Sequence, residues 1–158
     1  MGDAEHMPNE LSSQQAYAGT FRHSMDAKHR VTVPSRWRSE GEEAQFYLVP
    51  SPDGTFLYAL PPSEFQKVYD TINTDPRIPA PERRRFARHF FSQAQHCVVD
   101  RQGRLLLPDE FRRQAKLESE LVLVGTFDRF EIWNPARWEN TVSNETNTFQ
   151  QVANLIGL

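Results

Sequence analysis

Two short stretches of this chain place an aspartate four residues before an arginine: Asp26 with Arg30, and Asp100 with Arg104. Arginine presents a planar fork of N–H donors that can pair with a guanine edge or hold a phosphate. A carboxylate does not attract phosphate, so each aspartate more plausibly caps the following turn and orients the arginine. The pairs predict DNA contact by Arg30 and Arg104. An internal ion pair with the aspartate is the alternative, and the two roles are compatible.

Both pairs belong to a tandem repeat whose positions match 74 residues apart. Residues 25–34 (MDAKHRVTVP) align without a gap to residues 99–108 (VDRQGRLLLP). Six positions are identical at this offset: Asp26/Asp100, Arg30/Arg104, Pro34/Pro108, Arg38/Arg112, Phe56/Phe130 and Pro61/Pro135. We interpret the repeat as a duplicated module.

Each pair frames a predicted turn. Asp100 first and Gly103 fourth are typical of a type I turn, in which the aspartate caps the turn amides and glycine accepts positive φ. His29 stands where the second copy has Gly103. Histidine is enriched at positive φ among non-glycine residues, so the first turn is predicted to form with some strain. Asp26 and His29, like Asp100 and Gly103, are therefore predicted to shape and orient the turns.

Further basic residues surround each turn, although the whole chain is mildly acidic, with a net charge of −3. The charge counts against a generally basic nucleic-acid binder and leaves local patches as candidates. The predicted DNA-binding residues are Arg22, Lys28, Arg30, Arg36 and Arg38 in the first module and Arg101, Arg104 and Arg112 in the second. Arg83, Arg84, Arg85 and Arg88 form another cluster. It favours a solvated face or a subunit contact over a second phosphate track.

The residues do not predict an enzyme. There is no convincing nucleophile with a base, no phosphate-binding loop and no metal set. His89, His96 and Cys97 lack a structural-zinc spacing and a fourth ligand. His23 and His29 flank Asp26, but strand alternation and the turn explain them. We therefore expect neither catalysis nor a cofactor.

Cys97 is the only cysteine, so no intrachain disulfide forms and a reducing compartment is the simpler expectation. The first fifteen residues are polar and acidic, without a signal-peptide pattern, and no later segment is apolar over a membrane-spanning length. The sequence predicts a cytoplasmic, nucleoid-associated protein with no membrane and no small-molecule substrate among its partners.

Each module is predicted to run through a strand ending at the aspartate, the turn, a short strand, a proline-started helix and a strand pair. The strand pairs are expected at 45–49 with 55–60 and at 121–124 with 129–133. Helices are expected at 63–72 and 82–93, and Phe149, Val152 and Ile156 could make a short terminal helix. The predicted division is a flexible tail (1–16), module 1 (17–73), a helical connector (74–90), module 2 (91–138) and a C-terminal tail (139–158).

Neither module can bury enough apolar surface alone, so each is expected to complete its core with the other. The predicted fold class is mainly β with short helices (α+β), with the two modules related by a pseudo-twofold axis. That symmetry would place both Asp…Arg turns on one face.

The repeated motifs resemble the MraZ family. Gly19-Thr-Phe21 leading into residues 25–34 is similar to the family's first signature. Residues 92–94 (SQA), 100–108 (DRQGRLLLP), 121–125 (LVLVG) and 130–133 (FEIW) are similar to its second half. The resemblance covers roughly residues 17–138. It departs at His29, where family members usually have glycine.

The resemblance implies tandem AbrB-like modules forming a double swapped-hairpin β-barrel, assembly into rings, and binding to short repeats upstream of the operon for cell division and cell-wall synthesis. Residue by residue, Asp26 with Arg30 and Asp100 with Arg104 match the family's DNA-binding signature. The expected partners are double-stranded DNA and further copies of the chain. The alternative is an antidote-like interaction protein that binds a protein partner through its C-terminal tail.

Overall fold

The computed structural model describes residues 16–38 and 43–158. The strands are β1 Thr20–Ser24, β2 Arg30–Thr32, β3 Gln45–Pro50, β4 Leu57–Leu60, β5 Gln95–Val98, β6 Arg104–Leu106, β7 Glu120–Gly125 and β8 Phe130–Trp133. The helices are α1 Pro62–Thr74, α2 Ala80–Gln93, α3 Asp109–Ala115 and α4 Pro135–Leu155, with a 3₁₀ turn at Ser35–Trp37. The predicted flexible tail lies outside the described residues, except for residue 16.

Strand exchange between the two modules builds the fold. Six strands form an antiparallel sheet in the order β1-β7-β8-β4-β3-β5, and β2 pairs with β6 in a separate ribbon. The first strand of each module thus pairs with the third strand of the other. If each strand of the first module is exchanged with its equivalent in the second, the same strand order results, read from the other edge of the sheet. This pattern confirms the α+β class and the pseudo-twofold arrangement of swapped hairpins.

The 74-residue offset holds for β2 and β6 but shifts by one residue in the sheet. Equivalent bounds are 75 residues apart in β3 and β7 and 73 apart in β4 and β8. The Phe56/Phe130 identity is therefore not a structural equivalence. Phe130 is fully buried in the core, whereas Phe56 stacks on Trp133 outside it, at 4.4 Å between ring centroids. A one-residue shift exchanges the faces of a strand, so burial and not residue identity reveals the true register.

One shared core lies between the ribbon and the sheet. Val31 of β2 and Leu105 of β6 are fully buried, as are Trp37 after the ribbon and Phe130 in β8. The rings of Trp37 and Phe130 lie 4.9 Å apart across the module boundary. Because this cluster takes residues from both halves, each half completes the core of the other.

Helices cover the outer face of the sheet. Phe65 of α1 stacks on Tyr47 of β3 at 3.9 Å, and α2 packs against α1. Asn134 caps α4 by accepting a hydrogen bond from the amide of Arg137, and Pro135 occupies the first turn. The helix then continues to Leu155, so residues 139–155 form its distal part. Among the described residues, no helix combines the length and apolarity that crossing a bilayer requires.

Candidate nucleic-acid interface

The first turn is organised by the carboxylate of Asp26. Its Oδ1 accepts hydrogen bonds from the amides of Lys28 and Arg30, both at 2.9 Å. Its Oδ2 accepts from Nε of Arg30 at 2.8 Å. The amide of His29 donates to the carbonyl of Asp26 at 2.9 Å and closes the turn. One side chain therefore fixes both the backbone of the turn and the direction of the arginine.

The second turn repeats this geometry. Oδ1 of Asp100 accepts from the amides of Gln102 and Arg104 at 2.9 and 2.8 Å, and Oδ2 accepts from Nε of Arg104 at 3.0 Å. The amide of Gly103 donates to the carbonyl of Asp100 at 2.9 Å. Agreement down to the individual atoms supports the interpretation of a duplicated module.

The two turns lie next to each other. Nη1 of Arg30 lies 4.0 Å from Oδ2 of Asp100, and Nη1 of Arg104 lies 3.7 Å from Oδ2 of Asp26. The amide of Val33 also donates a hydrogen bond to the carbonyl of Gly103, and the amide of Leu107 donates one to the carbonyl of His29. Each arginine thus stands between its own carboxylate and that of the other module, with about a quarter of its side chain exposed.

The outer surface of the β2/β6 ribbon connects the turns. Val31 and Leu105 point into the core, so alternation turns Arg30 and Thr32 of β2 outward, together with Arg104 and Leu106 of β6. Leu106 is 56% exposed. Thr32 and Leu106 were not among the predicted site residues, although the alternation within each strand could have identified them.

The remaining basic residues fall into three environments. Lys28 and Arg101 are exposed on the turns beside the ribbon, and no ion pair joins either of them to another described residue. Arg36 is exposed in the 3₁₀ turn, whereas Arg112 is half-buried and donates to the carbonyl of Leu107 and to Asp109.

Arg22 lies on a different surface. Its neighbour Phe21 packs toward the core, so Arg22 points to the outer face of the sheet, where it pairs with Glu139 at 3.0 Å. The structure therefore does not bring Arg22 to the ribbon with the other predicted residues. Arg83, from the cluster of Arg83, Arg84, Arg85 and Arg88, has a structural role. Its guanidinium donates hydrogen bonds to the carbonyls of Asn73, Asp75 and Ile78.

The two turns differ at their fourth residue. Gly103 has φ +83°, and an added Cβ would lie 2.5 Å from Cζ of Arg38, so the guanidinium of Arg38 occupies the space that a side chain would need. His29 has φ +63° and is exposed. The first turn therefore presents an imidazole beside Lys28, while the second is covered by an arginine from the other module.

The hydrogen bonds to the aspartates favour their ionised forms. The backbone hydrogen bond from Arg30 is the largest cause that lowers the pKa of Asp26, and that from Arg104 does the same for Asp100. Both groups therefore carry negative charge at neutral pH. Two carboxylates and two guanidinium groups balance at the centre, so the net positive charge of this surface comes from the flanking residues.

The histidines and the cysteine considered as metal ligands do not form a metal site in the described part of the chain. Among the described residues, no three histidine, cysteine or acidic side chains lie close enough together to hold a metal ion. His96 contacts Gln45 at 3.0 Å on the exposed side of β5. Burial raises the pKa of the Cys97 thiol to about 11, which keeps it protonated and poorly nucleophilic at neutral pH.

Most of the chain is similar in sequence to known proteins. Residues 90–158 match the family model described as "MraZ protein, putative antitoxin-like". The chain is 37% identical over 143 residues to "Transcriptional regulator MraZ" of Pediococcus pentosaceus, covering 89% of this chain and 96% of that protein. It is 38% identical over 143 residues to the protein of the same name from Desulforamulus reducens, covering 90% and 99%. The similarity thus spans both modules.

Proposed function

Because the chain belongs to the MraZ family, we propose that it is a sequence-specific DNA-binding regulator of transcription and not an enzyme. It acts in the cytoplasm, at the nucleoid, and binds short repeats upstream of its own cell-division and cell-wall operon as a ring-shaped homo-oligomer. The names of the relatives support the regulatory role, and the resemblance of the paired motifs supports the target and the assembly.

One observation carries the proposal of DNA contact: the two Asp…Arg turns meet on a single ribbon surface. A two-stranded antiparallel ribbon is narrow enough to enter the major groove of B-DNA. Arg30 and Arg104 lie at the centre of this ribbon. The Nε of each arginine donates a hydrogen bond to the aspartate of its own turn. Their remaining N–H groups are held in a defined direction, which lowers the entropy lost when they pair with a base edge.

The surface separates base contacts from phosphate contacts. Arg30 and Arg104 can donate to guanine, while the methyl groups of Thr32 and Leu106 can contact thymine. Lys28 and Arg101 extend from the turn tips, where they can neutralise phosphates. Arg36 adds positive charge in the 3₁₀ turn after the first ribbon strand, and Arg38 adds it over Gly103 of the second turn. The central arginines thus supply specificity, and the tips supply most of the salt-dependent affinity.

Each protomer neutralises few phosphates, so its own affinity is modest. An oligomer that places several ribbons along repeated sites converts the later contacts into intramolecular ones, which multiplies affinity through effective concentration. The proposal therefore expects tight binding only on DNA that carries repeats in a spacing matched to the oligomer.

A titration comparing DNA from upstream of the protein's own operon with a scrambled sequence, at one stated salt concentration, tests the proposal. Arg30→Lys and Arg104→Lys keep the charge but lose the planar fork. Each should reduce the preference for the natural sequence by about 1–3 kcal/mol. Affinity for scrambled DNA should change little, because the positive charge remains.

Arg22→Ala is the matched control, since it removes an arginine from the other face of the sheet and should leave both affinities unchanged. A wild-type protein that binds natural and scrambled DNA equally well would refute sequence-specific recognition. Equal effects of the lysine variants on both DNAs would refute the assignment of base contacts to the central arginines.

A further inference from the structure

The side chain of His29, at the end of the first turn, takes no part in holding the fold together. Its backbone is fully bonded, because its amide donates to the carbonyl of Asp26 at 2.9 Å and its carbonyl accepts from the amide of Leu107 at 3.0 Å. The side chain is exposed. Among the described residues, the only histidine ring in a hydrogen bond is that of His96, with Gln45. The imidazole of His29 is therefore available to a binding partner.

The backbone at His29 makes the presence of a side chain there notable. Its φ of +63° is left-handed, a conformation that is strained for a non-glycine residue. The equivalent Gly103 adopts the same kind of turn without that strain. Strained residues persist where the surrounding structure holds them, and they are frequent at functional sites. Since the imidazole makes no hydrogen bond within the described chain, an external ligand is the function that the side chain can serve.

The two turns also differ in what covers their fourth residue. In the second turn, the guanidinium of Arg38 lies over Gly103. The equivalent Arg112 is engaged elsewhere, because it donates to Asp109 and to a backbone carbonyl, both at 3.1 Å. His29 remains exposed. The first turn thus presents an imidazole to whatever binds the ribbon, and the second turn has no counterpart.

The charges of the first turn leave no carboxylate for a protonated imidazole. Oδ2 of Asp26 lies 2.8 Å from Nε of Arg30 and 3.7 Å from Nη1 of Arg104. Lys28, the neighbour of His29, is exposed and forms no ion pair with another described residue. A positive charge on His29 would therefore add to that of Lys28 and attract an anion from outside the protein.

The second module does not supply the missing carboxylate either. Asp100 lies 3.0 Å from Nε of Arg104. Asp109, two residues after the Leu107 amide that bonds this turn, lies 3.1 and 3.2 Å from two guanidinium groups, those of Arg112 and Arg113. Glu110 of the same helix lines a groove with Gln93 of α2. The anion that complements this corner of the surface is thus a phosphate of the DNA.

We propose that His29, in its positively charged form, donates a hydrogen bond to a DNA phosphate beside Lys28, so that DNA affinity increases as the pH falls. An imidazole changes its charge between about pH 5 and pH 8. A nearby phosphate favours the charged form, so binding is accompanied by uptake of a proton and is stronger at lower pH. The inference rests on the proposed function, because that function supplies the DNA. It adds one contact for each protomer and a response to pH.

Titrations of the full chain with its upstream DNA, at pH 6 and pH 8 and over a range of salt concentrations, test the inference. An opposite charge nearby shifts protonation by about one pH unit, which corresponds to about tenfold tighter binding at pH 6 for each bound protomer. The plot of log affinity against log salt should also be steeper at pH 6, by up to about 0.9 units for each protomer, because one more phosphate is neutralised.

Two substitutions at His29 separate charge from shape. His29→Asn keeps a polar side chain that tolerates the left-handed backbone but does not titrate, so its affinity and slope at pH 6 should match those at pH 8. His29→Lys stays charged and should bind at pH 8 as the wild type does at pH 6. Lys116, at φ +56°, shows that this fold holds a lysine in that conformation. His89→Asn, at an exposed position on α2, is the matched control and should keep the wild-type response to pH.

Matching melting temperatures should show that the variants remain folded, and the change of slope in the wild type needs no variant. An equal response to pH in wild type and His29→Asn, or a wild-type slope that is the same at both pH values, would overturn the inference. Failure of the proposed function has a different signature: the wild type would bind upstream and scrambled DNA equally well at both pH values.

Discussion

The fourth residue of each turn shows how one position sets both backbone strain and access to the surface. Gly103 has a left-handed backbone, which is strained for any residue with a side chain, and an added Cβ would also displace the guanidinium of Arg38. His29 accepts the left-handed conformation at a cost of about 1–2 kcal/mol, which its turn hydrogen bonds offset. The two halves have therefore diverged where their surfaces differ, while their carboxylate geometry has stayed the same.

This asymmetry predicts unequal responses to substitution at the two positions. Gly103→Ala should lower the free energy of unfolding by at least about 1–2 kcal/mol, because it adds left-handed strain and displaces Arg38. His29→Gly should change it by less than about 1 kcal/mol, since relief of strain is offset by the greater freedom of glycine in the unfolded chain. Urea unfolding measures both values. A Gly103→Ala variant as stable as wild type would contradict the assigned packing.

The lowered pKa values of Asp26 and Asp100 predict acid sensitivity. A carboxyl group whose pKa is lower in the folded protein stabilises the fold above its unfolded pKa of about 3.9. That contribution disappears as the pH falls through the folded-state pKa. The unfolding free energy should therefore decline below about pH 4, and less steeply in the Asp26→Asn/Asp100→Asn double variant. Parallel curves for the two proteins would show that these carboxylates do not contribute.

Among the elements, the β2/β6 ribbon separates buried core side chains from the side chains proposed to contact DNA within a few residues. Leu105 is fully buried in the shared core, whereas its neighbour Leu106 is 56% exposed. The strand period of two produces this difference. Stability and the proposed DNA contact thus depend on alternate positions of the same strand, so we expect that they can be altered independently.

Substitution of the two neighbouring leucines tests this division. Leu105→Ala should cost about 2–5 kcal/mol of unfolding free energy, because it opens a cavity between the ribbon and the sheet. Leu106→Ala, the matched control, should stay within about 0.5 kcal/mol of wild type. Thermal or urea unfolding distinguishes them. Similar losses from both substitutions would mean that the ribbon does not have one core face and one outer face.

Local patterns made many elements predictable. The spacing of Asp100 and Gly103 predicts a turn, apolar alternation predicts the strands, and prolines mark the helix starts. The one-residue register shifts were not predictable from identities, because Phe56 and Phe130 match in type but differ in burial. The polar composition after residue 139 predicted at most a short helix, yet capping at Asn134 allows α4 to continue through it. Helix propensity is a weak guide when exposed polar residues tolerate either state.

For the whole molecule, strand exchange is what places the two motifs together. The symmetry of the repeat alone predicted both turns on one face. It could not predict that each arginine stands beside the other module's carboxylate, because Arg30 and Asp100 are 70 residues apart and meet only after the modules pair. The same exchange makes the halves depend on one another, so the surface proposed to face DNA exists only in the assembled fold.

The salt dependence of DNA affinity tests the central claim, that this ribbon surface binds DNA, most directly. In the double variant Lys28→Ala/Arg101→Ala, a titration with the upstream DNA over a range of salt concentrations should give a flatter plot of log affinity against log salt. The slope should fall by about two units for each bound protomer, because two phosphate contacts are lost. An unchanged slope in a folded oligomer would contradict the claim that this surface faces DNA.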